Sequence, residues 1–325
     1  MPPADPTPIA KDAKKSSPRS VDEAVRYYRN AARASRTKKA YVKAWNAFEV
    51  WANENRHKPL PASALTVERY LSMRADQHRK VATIEMDLVA ISQTHLAAGY
   101  PSPRSEERVR EVLRGIRRDT KTAQAQKAPL LPEDLRKICA VLPDNLRGIR
   151  DKALLLLGFA SASRRQELAS FRVEDLTDSG NKRGLVLTLR ASKTDQEGNG
   201  FRKAIPFAKD KDLCPVLAVR AWLTLSQIKD GPLFREVDRH GNVSPTPLNP
   251  RSISMIIKRA AEAAKLPFQQ ISGHSLRAGL ATAAARAGKS ERAIMRMTGH
   301  KSPKMVNRYI REQEIWHDCA SDGVI

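Results

Sequence analysis

The chain has 325 residues, more than a typical domain of about 100 to 200 residues, so we expect two domains. Its apolar fraction of 41% is enough for packed cores and argues against global disorder. The 58 lysines and arginines exceed the 35 acidic residues by 23, and this charge makes nucleic acid the first expected partner. We expect no membrane partner and no small-molecule substrate.

Residues 1–19 are rich in proline, alanine, lysine and serine and contain no apolar run. This composition predicts a disordered basic arm and gives no sign of a secretory leader. No stretch of the sequence approaches the ~18 apolar residues that a membrane-spanning helix needs. Three cysteines, Cys139, Cys214 and Cys319, lack the spacing of metal ligands, and their odd number argues against a disulfide framework. We therefore expect a reduced, cytoplasmic, nucleoid-associated protein.

From residue 20 to 118, apolar residues recur at spacings of three and four, which is typical of amphipathic helices. Helices are predicted from Ser35, from Thr66, over 83–98 and from Ser105. Pro59 and Pro61 end the first of them, Pro101 and Pro103 end the third, and no strand pattern interrupts the region. The first domain is therefore predicted to be a small all-α bundle.

The faces of these helices carry more cations than their acids can balance, so we expect contacts to DNA phosphates. The residues with this expected role are Arg36, Lys38, Lys39, Lys43, Arg74, Arg79, Lys80, Arg114, Arg117 and Arg118. The long basic helices over 36–51 and 80–98 are candidates to enter the major groove, where base pairs can be distinguished. Arg251 and Lys258 are similar candidates in the second domain.

Residues 119–128 are polar and have no apolar periodicity, which predicts an interdomain linker. The second domain is predicted over 129–325. Its clear β region is a pair of strands at 185–190 and 202–207. The polar, glycine-rich segment 192–200 joins them as a loop that is long for a hairpin.

Helices dominate the rest of the second domain. They are predicted from Pro132, over 150–160, 215–226, 250–264, 274–287 and 291–297, and in a short segment ending at Tyr309. The predicted fold class is therefore mainly α, with an all-α bundle followed by a mostly-α domain that holds a small antiparallel β-sheet.

Groups suited to attack on a phosphodiester follow one another near the end of the chain. His274, Arg277, His300 and Tyr309 are separated by 3, 23 and 9 residues. Metal-free cleavage needs cations on the nonbridging oxygens, a nucleophile in line and an acid for the departing alkoxide. Arginine suits the first task because its planar fork binds phosphate and keeps its charge. No carboxylate or Cys/His set has metal-ligand spacing, so we expect neither metal nor cofactor.

The order of these parts resembles that of the tyrosine recombinases, the phage integrase family, over roughly residues 30–320. Three motifs carry the resemblance. The family's Arg-x-x-Glu-Leu box is matched by the segment 164–168, its His-x-x-Arg box by 274–277 with Gly-His at 299–300, and its nucleophile segment by Asn-Arg-Tyr at 307–309. The family often has glycine and an apolar residue before the first arginine, where this chain has Ala162 and Ser163.

The resemblance assigns roles to individual residues. Tyr309 would attack DNA and form a 3′-phosphotyrosyl linkage, while Arg164 and Arg277 would hold the scissile phosphate. Lys193 in the hairpin loop would protonate the 5′-oxygen, with Lys203 as a nearby alternative. The remaining assigned residues are Glu167, which would brace Arg164, and His274 and His300, which would handle protons.

The resemblance also implies a fold and an assembly. The first domain would be a SAM-like core-binding domain, and 129–325 the catalytic domain. The enzyme would act as a homo-tetramer on duplex DNA with inverted-repeat target sites. A tail, Glu312–Ile325, would be swapped between neighbours, with Ile315 and Trp316 as its apolar anchors.

The main hypothesis is therefore a site-specific DNA recombinase. Two alternatives stay open at this point. A type IB topoisomerase-like or telomere-resolving enzyme would use the same tyrosine chemistry but yield a different DNA product. A sequence-specific DNA-binding protein without catalysis would share the positive charge but would form no covalent bond to DNA.

Overall fold

The computed structural model describes most of the chain between its two ends. The described residues are 20–31, 35–120, 127–180, 183–190, 201–300, 302–303, 305–307 and 309. The predicted arm (1–19), the loop 192–200 and the tail (312–325) lie outside them. The chain divides into two compact units, Met1–Ala125, the helical unit, and Gln126–Ile325, the mixed unit. No helix within the described ranges has the length and apolarity needed to span a bilayer.

The described part of the helical unit is all α, as predicted. Its helices are α1 Val21–Ala31, α2 Ser35–Glu54, α3 Ala64–Asp76, α4 Val81–Ala97 and α5 Glu107–Thr120, with a 3₁₀ turn at Pro103–Ser105. The predicted start of α3 at Thr66 is two residues late. The Ser63 hydroxyl accepts a hydrogen bond of 3.1 Å from the Thr66 amide and so caps the helix earlier.

The linker predicted from Asp119 also begins too early, because α5 continues to Thr120. The Thr120 hydroxyl donates to the Ile116 carbonyl at 2.6 Å, which completes the last turn beyond the last buried apolar side chain. The core of the helical unit is aromatic at its centre, where the rings of Phe48 and Tyr70 pack edge to face with 5.1 Å between centroids.

The helices of the mixed unit follow the predicted order, except that the short helix Arg165–Ser170 was not predicted. They are α6 Pro132–Val141, α7 Leu146–Ala160, α8 Arg165–Ser170, α9 Pro215–Ser226, α10 Pro250–Ala263, α11 Ser275–Arg286 and α12 Glu291–Thr298, and residues 303, 305–307 and 309 are also helical. Helix α7 is buried along most of its length and is the centre of this core.

The predicted hairpin is part of a three-stranded antiparallel sheet in the order β1-β2-β3. Its strands are β1 Leu176–Asp178, β2 Gly184–Leu189 and β3 Phe201–Pro206. Leu187 of β2 pairs with Lys203 of β3. A second, two-stranded sheet, β4 Arg235–Val237 and β5 Val243–Pro247, flanks a turn at 238–242.

Gly158 allows three helices to meet at the end of α7. A Cβ at this position would lie 2.9 Å from Cδ1 of Leu168 in α8 and 2.9 Å from Cδ1 of Leu276 in α11. Real Cβ atoms do not approach so closely, so an added methyl group would force the side chains of Leu168 and Leu276 to shift within the packed core. The residues next to these leucines, Glu167 and Arg277, are consequently held near each other.

Candidate active site

A tight turn after α7 presents the first candidate arginine. Ser161, Ala162 and Ser163 are fully buried, and the Ser163 amide donates to the Gly158 carbonyl at 3.1 Å. The hydroxyls of Ser161 and Ser163 lie 2.7 Å apart. Ala162 has a φ of +49°, a left-handed conformation that glycine adopts more easily. A left-handed φ at this position explains why the family often has glycine before the first arginine. In this chain, alanine adopts the same conformation.

Arg164 and Glu167 are fixed to each other at the start of α8. One carboxylate oxygen of Glu167 accepts from the Arg164 amide at 2.8 Å, and the other accepts from Arg164 Nη1 at 2.7 Å. Glu167 is buried, whereas the Arg164 side chain is 20% exposed. Glu167 thus orients the guanidinium and leaves part of it open to a ligand.

Arg277 is a buried cation with unused donors. It is 1% exposed, and its Nη1 donates to the Ala162 carbonyl at 3.0 Å. Its Nε and Nη2 are buried and have no hydrogen-bond partner among the described residues. Burial, and next the positive charge of Arg164, lower the pKa of Arg277 to about 10. Two buried, unpaired N–H donors on one charged side chain form a binding site for an anion.

His300 is held neutral beside these arginines. Gly299, with a φ of +67°, ends α12 and turns His300 inward to 8% exposure. The Thr298 hydroxyl donates to the Ile294 carbonyl at 2.7 Å, so it accepts from His300 Nδ1 at 2.9 Å. This leaves the lone pair on Nε2. Burial, and then the charges of Arg277, Arg164 and His274, lower the pKa of His300 to about 4.

Tyr309 lies against this group. Its partly buried ring packs on the cluster of Ala281, Ile294 and Val306. The ring is nearly parallel to that of His300, with 18° between planes and 6.2 Å between centroids. The phenol is also close enough to influence the pKa of Arg277.

His274 occupies the position just before α11. It is exposed, and its amide donates to the Ser272 hydroxyl at 3.1 Å. Its charge contributes to the low pKa of His300. Six of the seven residues predicted for catalysis are therefore near one another, and the seventh, Lys193, lies outside the described residues.

Lys203, considered in the sequence only as an alternative to Lys193, belongs to this group. It is 3% exposed, and its Nζ donates to the Ser161 carbonyl. Burial lowers its pKa to about 8, Glu167 opposes this effect, and Arg277 and Arg164 add to it. The alternation along β3 could have identified Lys203 from the sequence. Phe201, Lys203 and Ile205 share one face of the strand, and a lysine is unusual among apolar residues on a buried face.

The predicted DNA-contacting cations fall into two groups. Three have carboxylate partners within the helical unit: Arg74 with Asp87 at 2.9 Å, Arg114 with Glu107 at 2.7 Å, and Arg117 with Glu85 at 2.6 Å. Arg74 is largely buried in its pair, whereas the side chains of Arg114 and Arg117 are 48% exposed. Lys38, Lys39 and Lys43 line a shallow groove on α2. The other exposed candidates with a described side chain are Arg79, Lys80, Arg118, Arg251 and Lys258. The side chain of Arg36 lies outside the described part.

Comparison with known proteins gives consistent results. The sequence model of the phage integrase family matches residues 128–314. The chain is 39% identical over 292 residues to the integrase/recombinase xerD homolog of Selenomonas ruminantium, covering 89% of this chain and 85% of that protein. It is 28% identical over 295 residues to recombinase cre of Escherichia phage P1, covering 85% and 83%.

The fold is also that of a solved structure, a lambda integrase tetramer bound to a Holliday junction. The TM-score is 0.57 with 17% identity, over 89% of this chain and 76% of that chain. This likeness confirms the predicted fold class, mainly α with small antiparallel sheets.

Proposed function

We propose that this chain, which belongs to the phage integrase family of tyrosine site-specific recombinases, cleaves and rejoins duplex DNA through a 3′-phosphotyrosyl intermediate on Tyr309. The observation that carries the mechanism is the pair of unused donors on buried Arg277, beside the partly open guanidinium of Arg164. A buried cation with unpaired donors is unfavourable unless an anion completes its hydrogen bonds. A DNA phosphate supplies that anion.

The reaction follows from these positions. The oxygen of Tyr309 attacks the phosphorus, and the bond from phosphorus to the 5′-oxygen breaks. Arg164 and Arg277 bind the nonbridging oxygens as negative charge builds up on them. The phosphotyrosyl bond keeps the energy of the broken bond, so a free 5′-hydroxyl can reverse the step without ATP.

Proton transfer is divided between two sides of the phosphate. His300 is neutral, and the lone pair on its Nε2 suits acceptance of the phenol proton or of a hydrogen bond from it. His274 assists by hydrogen bonding. On the other side, Lys193 protonates the departing 5′-oxygen, because an ammonium can give up a proton as the alkoxide forms.

The helical unit serves as the core DNA-binding domain, and the mixed unit as the catalytic domain. The three lysines along the groove of α2 contact phosphates, and α2 and α4 are the candidates for major-groove reading. Arg251 and Lys258 add contacts from α10. Since its substrate is DNA, the protein acts in the cytoplasm in association with the nucleoid.

Recombination requires two sites, and we propose that a homo-tetramer holds two inverted-repeat sites together. An apolar cavity of about 580 Å³ in the mixed unit supports this proposal. Its walls include Leu135, Leu156, Phe159, Leu280, Ile294 and Met297. Ile315 and Trp316 in the tail of a neighbouring copy have the apolar character to fill it.

A covalent trap tests the function. DNA fragments from the source replicon are incubated with the protein, denatured, and recovered with the protein to identify the target. A nicked version of that target loses its short 5′-hydroxyl product, so cleavage becomes irreversible. Wild type should accumulate a covalent complex, and Tyr309→Phe should bind the DNA without forming one.

Other outcomes separate the alternatives. Binding by both proteins without any covalent complex would show a DNA-binding protein that lacks catalysis. Relaxation of supercoiled DNA without a site requirement, and without exchange between two sites, would indicate the topoisomerase-like activity instead.

A further inference from the structure

Lys203 is a buried cation that the mechanism above does not use. Lysine is rarely this buried unless it is paired. Among the ion pairs of the described residues, none joins Lys203 to a carboxylate within 4.0 Å, although Glu167 is near enough to affect its pKa. Among the described residues, its hydrogen-bond partner is the Ser161 carbonyl. A structural salt bridge therefore does not account for it.

Lys203 and Arg277 donate to successive carbonyls of the same turn. Ser161 accepts from Lys203, and Ala162 accepts from Arg277 at 3.0 Å. Two cations from different elements, β3 and α11, thus hold successive peptide groups of one turn. That turn leads directly into Arg164, so its position sets both arginines relative to each other.

The strand that carries Lys203 also bounds the hairpin loop. Leu189 pairs with Phe201, and Lys203 follows two residues later on the buried face. The segment between this pair contains Lys193, the proposed acid. Lys203 therefore connects one end of that loop to the turn that presents the arginines.

We propose that Lys203 is a positioning residue for DNA cleavage, which locks the Ser161–Ser163 turn to β3 and so aligns Arg164 and Arg277 on the scissile phosphate. The proposal rests on the proposed function and deepens it. Lys203 acts through the turn and not by touching the reacting atoms.

The charge of Lys203 adds a pH dependence. The groups that face it are Glu167 on α8, Arg277 on α11 and Arg164 in the turn. With a pKa of about 8, Lys203 is mainly protonated at pH 7 and loses its charge as the pH rises through 8. The neutral amine can still donate to Ser161, but it no longer attracts Glu167. Cleavage should therefore slow at alkaline pH, as bound wild type loses this charge.

Single-turnover cleavage of the nicked target at saturating protein measures the effect. Lys203→Met should leave the Kd for DNA unchanged and slow cleavage by about 100-fold, the scale on which small misplacements act. Arg202→Met is the matched control, since Arg202 is the exposed neighbour on the same strand. It should cleave at nearly the wild-type rate once bound. Equal rates for the two variants would overturn the proposal.

A bridging sulfur at the 5′ position distinguishes positioning from acid catalysis, because a thiolate leaves without needing a proton. Lys193→Ala should recover its rate on this substrate, and Lys203→Met should stay slow. Recovery by Lys203→Met would make Lys203 the acid and overturn the proposal.

Lys203→Arg keeps the proposal testable if the methionine variant fails to fold. Arginine retains the donor and keeps its charge at alkaline pH, so the alkaline decline in cleavage should move to higher pH than in wild type. An unchanged pH profile would contradict the proposal. Failure of wild type to form any covalent complex would instead count against the proposed function itself.

Discussion

Replacing Arg277 with methionine should raise stability while abolishing cleavage. Methionine keeps a long apolar side chain in the space of the arginine stem and removes the charge and all donors. The variant therefore distinguishes two roles that a buried arginine can have, stabilising the fold or binding a phosphate.

The structure sets the size of both effects. At about 1.4 kcal/mol for each tenfold change in proton affinity, the lowered pKa of Arg277 corresponds to a destabilisation on the order of 3 kcal/mol in the charged form. Removing the arginine also leaves the Ala162 carbonyl without its bond, which costs about 1–3 kcal/mol. The net expectation is a gain in unfolding free energy of about 1 kcal/mol. Loss of two donors to the transition state should lower cleavage by at least about 1000-fold.

Urea unfolding and the covalent trap measure the two quantities. Arg150→Met is the control, since Arg150 is 4% exposed but lies 2.7 Å from the carboxylate of Asp151. Breaking that buried pair should destabilise the mixed unit by about 3 kcal/mol or more. If Arg277→Met loses as much stability as Arg150→Met, Arg277 is a structural cation and the argument for an anion site is wrong.

Three further outcomes follow from particular residues. The His300 imidazole takes up a proton near pH 6.5 in the unfolded chain and only near pH 4 in the folded one, so the unfolding free energy should fall as the pH drops from 6.5 to 4. In His300→Gln, the urea midpoint should change less over this pH range than in wild type. Changing Lys39 and Lys43 to glutamine should reduce the slope of log Kd against log salt by about 1.8 in a fluorescence titration, and an unchanged slope would remove both from the DNA interface. Gly158→Ala should lower the unfolding free energy by about 1–3 kcal/mol through overpacking, while Gly115→Ala, with open space around it on α5, should raise it by about 0.5–1 kcal/mol.

Local signals were sufficient for most of the helices. Helix α9 runs from Pro215 to Ser226 as the sequence predicts, because proline at the first turn acts on its immediate neighbours. β1 was missed, since three residues of mixed polarity carry no alternation. Its partner in β2, rather than its own sequence, makes it a strand.

Charge partners could not be predicted in the same way. Arg74 and Asp87 are 13 residues apart, and Arg117 and Glu85 are 32 apart, on different helices. A count of cations along one helix face cannot show which of them a distant carboxylate neutralises. The six catalytic candidates that the structure describes were found because their spacing in sequence is characteristic, and their convergence required α7, α8 and α11 to meet at Gly158.

The same convergence explains why the site is electrostatically unfavourable when empty. Among the described residues, Arg164, Arg277 and Lys203 share one nearby carboxylate, that of Glu167, and the pKa values of the buried cations Arg277 and Lys203 are lowered. A fold selected for stability alone would replace such groups with apolar ones. Because DNA brings the missing negative charge, binding should relieve this repulsion and raise the pKa of Lys203. The titration of Lys203 in free protein can be measured by NMR of its labelled Nζ. The alkaline decline in cleavage by bound protein should lie at a higher pH than that titration. Coincidence of the two would show that the phosphate does not reach this group of cations.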